Sequence, residues 1–161
     1  ARIPLILVPP AGWQCEKNVE NDAPVGWEDI MPTFLEAADT DVPDTVEGNS
    51  LLSLLRNPDA EWRSYYHHEH SSCYHPQNAY QSLVSREWKY VWNPITGAEQ
   101  LFRVSEDPHE LCDLAPHAEY AEELGRWRGR MAHLLRDRPE DVSDGETLHA
   151  ADVPVWRDPR E

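Results

Sequence analysis

Between residues 116 and 136 the sequence is apolar at helical spacing. Tyr120, Leu124, Trp127, Met131 and Leu134 or Leu135 fall on one stripe, with Glu, Arg and Gly between them. Glu119, Glu122 and Glu123 come early, and Arg126, Arg128, Arg130 and Arg136 come late, the order that the helix dipole favours. A helix with one such stripe must lay it against another element. The candidate partner lies upstream. Residues 80–92 are rich in aromatic and β-branched side chains, residues 93–97 (Asn-Pro-Ile-Thr-Gly) make a turn, and residues 99–104 return as a strand. Trp88, Tyr90 and Trp92 share one face at period two. That face is expected to pack under the helix rather than to serve as a sugar- or aryl-binding platform. Residues 61–70 alternate as a further strand, with Trp62, Tyr66, His68 and His70 on one face and Arg63, Tyr65, His67 and Glu69 on the other.

The chain before residue 60 has a different character. Ile3, Leu5, Ile6, Leu7 and Val8 form a short apolar run closed by Pro9 and Pro10. Such a run fits a strand buried on both faces, as in a parallel sheet. No other segment supplies a comparable neighbour, so the chain is expected to be part of a larger fold. The start at Ala-Arg-Ile-Pro, without Met, is likewise expected to mark a trimmed or excised piece. Residues 27–38 read as a short helix with Pro32 in its first turn and Ile30, Phe34 and Ala38 on one face. Residues 49–55 read as one or two helical turns capped by Asn49 or Ser50. Residues 137–161 are polar and proline-bearing, and are expected to form an extended tail that packs loosely or on a neighbouring surface.

Composition narrows the function. The 161 residues suit one domain, able to bury about two-thirds of its unfolded surface. A net charge of −16 argues against a nucleic-acid partner. No apolar run approaches the length of a membrane span, and no signal peptide is visible. Three cysteines (Cys15, Cys73, Cys112), with no paired spacing, favour a reducing, cytoplasmic compartment over a disulfide scaffold.

Chemistry concentrates at residues 65–75. His67, His68, His70 and His75, half of the chain's eight histidines, fall within nine residues. His68 and His70, with Cys73 or His75 from the next loop, offer N and S donors for a tetrahedral metal site, although the spacing matches no familiar zinc pattern. The alternatives are a surface strand with no role, or a group facing an anionic substrate.

The order of the pieces carries a resemblance. Arg2-Ile-Pro-Leu-Ile, Asp29-Ile-Met-Pro-Thr-Phe-Leu-Glu-Ala-Ala and Gly48-Asn-Ser-Leu-Leu-Ser-Leu-Leu come first. His68-Glu-His-Ser-Ser-Cys-Tyr, Trp88-Lys-Tyr-Val-Trp, Thr96-Gly-Ala-Glu-Gln-Leu-Phe and Glu106-Asp-Pro-His-Glu-Leu-Cys-Asp-Leu-Ala follow. Together they resemble the second half of an arylsulfatase of the alkaline-phosphatase superfamily. The resemblance implies an α+β chain: the edge of the sulfatase α/β core over residues 1–58, a four-stranded antiparallel sheet packed on a long helix over 59–138, and a tail over 139–161. It implies a sulfuric ester hydrolase whose formylglycine nucleophile arises from a Cys/Ser-x-Pro-x-Arg motif and which uses a divalent metal, in this family usually calcium. Cys15, Cys73 and Cys112 do not match that motif, so nucleophile and metal ligands are expected outside this chain. It further implies that His68, Glu69 and His70, joined by His75, lie over the active-site mouth and meet the sulfate ester. The contrasting expectations are a non-catalytic interaction or homo-oligomerisation module, and a related phosphonate or phosphate ester hydrolase.

Overall fold

The computed structural model describes residues 4–13, 15, 18–71, 75 and 78–151. The chain forms two compact units, Ala1–Arg63 and Ser64–Glu161.

In the first unit residues 4–8 form no strand, and Ile6 and Val8 are 84% exposed. A strand buried on both faces needs a neighbour on each side, and no described residue of the chain pairs with this run. Residues 27–38 divide into a 3-10 turn, Trp27–Asp29, and helix α1, Ile30–Ala37. Pro32 sits in the first turn of α1, where its missing N–H costs nothing. The buried side of α1 is not the expected Ile30, Phe34 and Ala38. Pro32 and Thr33 point inward, and Phe34 is 69% exposed.

Polar bonding explains the rotation. The Thr33 hydroxyl donates to the Asp29 carbonyl (2.5 Å) and accepts the Leu51 N–H (2.9 Å). The fully buried Asp29 carboxylate accepts the backbone N–H groups of Gly26 (2.8 Å) and Asn49 (2.9 Å) and pairs with Arg63. These bonds fasten residues 48–51 to the start of α1. Leu51 and Leu52 are then buried, and helix α2 runs Leu52–Arg56. The Ser50 hydroxyl accepts the Leu52 N–H (3.3 Å) just ahead of it.

The second unit is an antiparallel meander under a helix. Strands β1 (Tyr65–His70), β2 (Tyr80–Ser85), β3 (Lys89–Trp92) and β4 (Glu99–Phe102) lie in that spatial order. The single strand expected over 80–92 is therefore two. Ser85 makes the extra hairpin: its N–H donates to the Trp88 carbonyl (2.8 Å), and its hydroxyl accepts the N–H groups of Glu87 (3.2 Å) and Trp88 (2.8 Å). The turn before β4 follows the sequence reading. Asn93 Oδ1 accepts the N–H groups of Ile95 and Thr96, and Gly97 takes φ +71°, which favours glycine. The free side of β4 is closed by residues 112–115: Leu101 N–H donates to Asp113 Oδ1 (3.0 Å), and Leu114 N–H to the Leu101 carbonyl (2.8 Å).

Helix α3, Ala121–Leu135, follows a 3-10 turn at Ala118–Tyr120. Its stripe is the one anticipated. Leu124, Trp127, Met131 and Leu135 interlock with Leu83, Tyr90, Trp92 and Leu101 of the sheet, and Trp88 packs at the margin. Tyr65 meets Trp127 edge-on at 6.0 Å, and the Arg130 guanidinium lies 4.4 Å from the Trp127 ring. Tyr90 donates its hydroxyl to Glu99 (2.5 Å), so the ring is buried without an orphaned polar atom.

The segment after the helix is not loose. Val142 and Ser143 are buried, the Ser143 hydroxyl donates to the Ala132 carbonyl (2.7 Å), and Ala151 N–H donates to the Pro94 carbonyl (2.7 Å). The buried Val142 side chain and the His149 N–H, which donates to the Val142 carbonyl (2.8 Å), add to that anchorage. Residues 152–161, part of the same expectation, lie outside the described residues.

Candidate functional site

Antiparallel pairing of β1 with β2 decides where the histidines go. The register sets His68 opposite Ser82 and His70 opposite Tyr80. Leu83, Tyr90, Trp92 and Leu101 face the helix. Strand alternation then gives the opposite face to His68, His70, Tyr80, Ser82, Val91 and Gln100. On that face the Tyr80 ring contacts both imidazoles. Its centroid is 5.5 Å from His70, near stacking at 26°, and 5.5 Å from His68, tilted at 43°.

His68 and His70 therefore stand together, as their i, i+2 spacing suggested. Glu69 does not join them. It lies on the helix-side face, where its carboxylate meets Arg138 (3.0 Å) and accepts from the Gln81 amide (3.4 Å). His67 shares that face, with Nε2 2.7 Å from Gln81 Oε1. His75 is exposed in the loop beyond β1, where its carbonyl accepts the Asn78 N–H (2.9 Å). Cys73 lies outside the described residues. Among the described residues no three His, Cys, Asp or Glu side chains gather to hold a metal.

Burial lowers the His68 pKa below the ordinary imidazole value, and the positive charges of Lys89, His67 and His70 add to the effect. Near neutral pH His68 is an uncharged ring with one N–H to donate and one nitrogen to accept. The stability consequence has a definite sign. A depressed histidine pKa contributes stability that is present above the unfolded value of about 6.5 and is lost as pH falls through the folded value. Denaturant titrations of the chain are expected to show stability falling as pH drops below about 6.5, with a flatter profile in His68→Gln. A His68 C–H resonance titrating at or above that value would contradict this.

Two features of this face escape a reading by residue type. Tyr80 scans as ordinary strand, and only the β1–β2 register puts it against the histidines. Lys89 and Glu110, 21 residues apart, form an ion pair. Glu110 has φ +56°, the left-handed region, with its N–H bonded to the Asp107 carbonyl (3.1 Å). The Glu-Asp-Pro-His-Glu turn signalled a reversal, but not which carboxylate would face the sheet.

Comparison with known proteins places this architecture. The sequence profile of the family described as N-sulphoglucosamine sulphohydrolase, C-terminal, matches residues 1–137. An arylsulfatase of Clostridium perfringens is 34% identical over 149 residues, which is 92% of this chain and 30% of that protein's length. A structure from Bacteroides thetaiotaomicron classed among the sulfatases superposes with a TM-score of 0.62 at 25% identity, covering 82% of this chain and 27% of that one. A phosphonate monoester hydrolase from Silicibacter pomeroyi shares the fold, with a TM-score of 0.62 at 23% identity over 80% of this chain and 28% of its own. The profile match, the ordered motifs and the small antiparallel sheet under a long helix agree: the chain belongs to the N-sulphoglucosamine sulphohydrolase C-terminal family and corresponds to the carboxy-terminal region of sulfatase-family proteins of the alkaline-phosphatase superfamily.

Proposed function

We propose that this chain serves a sulfuric ester hydrolase by supplying its carboxy-terminal subdomain, with His68 and His70 facing the ester. The observation that carries this reading is the shared face of the two imidazoles, both set against Tyr80 and turned away from the helix-side core. A neutral imidazole N–H beside a sulfate ester donates a hydrogen bond to a sulfate oxygen, and an imidazolium there gives a proton to the departing alcohol oxygen. Glu69, tied to Arg138, acts by holding its end of β1 rather than by touching substrate. His75 would reach the ester from the loop.

The reading assigns the nucleophile and the metal ligands to the portion of the hydrolase that precedes this chain, since the relatives are about three times as long. Exposed Trp27, Met31 and Phe34, at 72%, 52% and 69%, fall on one side of α1 and its leading turn. That apolar side suits packing by the preceding portion. Turnover of a nitrophenyl sulfate is the test. The longer protein is expected to cleave it and the 161-residue chain to leave it intact. Turnover by the chain alone, or cleavage by the longer protein of phosphonate esters only, would overturn the proposal.

A further inference from the structure

The sheet face that carries the histidines continues into a shallow depression of about 390 Å³, lined by Tyr80, Lys89, Val91, Gln100, Phe102 and Glu110. We infer that this depression is a subsite for the uncharged, ring-bearing alcohol portion of an ester, distinct from the place of the sulfate; the inference rests on the ester-hydrolase reading above.

Charge excludes the sulfate from it. Lys89 is the one cation among the lining residues, and its ammonium is bonded to the Glu110 carboxylate. An anion entering there would meet a neutralised pair with an acceptor beside it. The rest of the lining suits a neutral ring. Val91 and Phe102 give an apolar floor, Tyr80 gives an aromatic wall, and the Gln100 amide offers both a donor and an acceptor to ring hydroxyls.

Register supplies the alignment. His68 pairs with Ser82, Ser82 with Val91, and Val91 with Gln100, so the four residues form one row straight across the sheet. At roughly 4.8 Å per strand, Val91 lies about 10 Å from His68 along that row. Tyr80 belongs to both ends: it contacts both imidazoles and lines the depression. An ester whose sulfate meets the histidines can lay its ring past Tyr80 onto Val91 without leaving the row. In this arrangement Tyr80 and Gln100 set which alcohols are accepted.

The experiment titrates phenyl β-D-glucoside, a neutral ring-bearing probe, and separately inorganic sulfate into the 161-residue chain, followed by backbone amide NMR. The glucoside is expected to shift Tyr80, Val91 and Gln100, and sulfate to leave them in place. Gln100→Ala is expected to weaken glucoside binding about tenfold, the loss of one hydrogen bond. Failure of the glucoside to shift these amides, shifts produced equally by sulfate, or unchanged binding by Gln100→Ala would overturn the subsite. Ester cleavage by the longer protein is scored separately. If esters are cleaved while these amides stay still, the subsite alone fails. If the amides move and no sulfate ester is cleaved, the hydrolase reading fails.

Discussion

Gly48→Ala is expected to open the first unit along the seam between residues 48–51 and the start of α1. A Cβ built on Gly48 would sit 2.0 Å from the Glu28 carbonyl oxygen and 2.4 Å from its carbon, and both atoms are backbone. No rotamer change relieves that contact, so the loop must leave the turn. Overpacking costs typically reach about 3 kcal/mol, and a backbone obstacle belongs at or above that end. The bonds lost with the seam are Asn49 N–H to Asp29 and Leu51 N–H to Thr33. Hydrogen exchange reads them directly. Protection at Asn49 and Leu51 should fall about a hundredfold, while Leu83 and Tyr90 in the second unit keep theirs. Parental protection at Asn49 would refute the account of this seam.

Asp29→Ala is expected to cost as much by another route. The carboxylate is fully buried and accepts two backbone N–H groups as well as the Arg63 guanidinium, whose side chain is 16% exposed. Removing it strands two donors and leaves a largely buried cation without this partner. Breaking a buried pair on one side costs about 3–5 kcal/mol. Asp29→Asn should cost less, because Oδ1 can still accept from Asn49, but its amide hydrogens would confront the Gly26 N–H. Denaturant unfolding that ranks the variants parent, Asn, Ala in falling stability supports this network. An Ala variant as stable as the parent would remove it.

Much of the second unit could be read from residues alone, because its packing follows periodicity. Leu124, Trp127 and Met131 recur at helical spacing and Tyr90 and Trp92 at strand spacing, and all five are core. What escaped was set by bonds with no composition signal. The Ser85 hairpin has no Gly, Pro or Asn at its centre, so β2 and β3 scanned as one strand. In the first unit the apolar pattern misled. Phe34 and Ile6 are hydrophobic but exposed, whereas polar Asp29 and Thr33 are buried. A chain that matches 30% of a relative's length leaves apolar faces that its own residues do not cover. At the site, alternation put His68 and His70 on one face and Glu69 on the other. The ring that joins the two histidines, Tyr80, depended on a register that no single strand encodes.

The central claim is that the two imidazoles face the ester. Its most direct test is hydrolysis of a nitrophenyl sulfate by the longer protein, with His68→Ala and His70→Ala compared against the parent and against His67→Ala. Loss of a positioned imidazole that moves a proton should lower kcat/KM about a hundredfold, the lower end of general acid–base contributions. His67→Ala, on the opposite face, should stay within about twofold, since a partly exposed polar contact is worth little. Equal rates for the parent, His68→Ala and His70→Ala, with Leu83 exchange protection intact in all, would contradict the account.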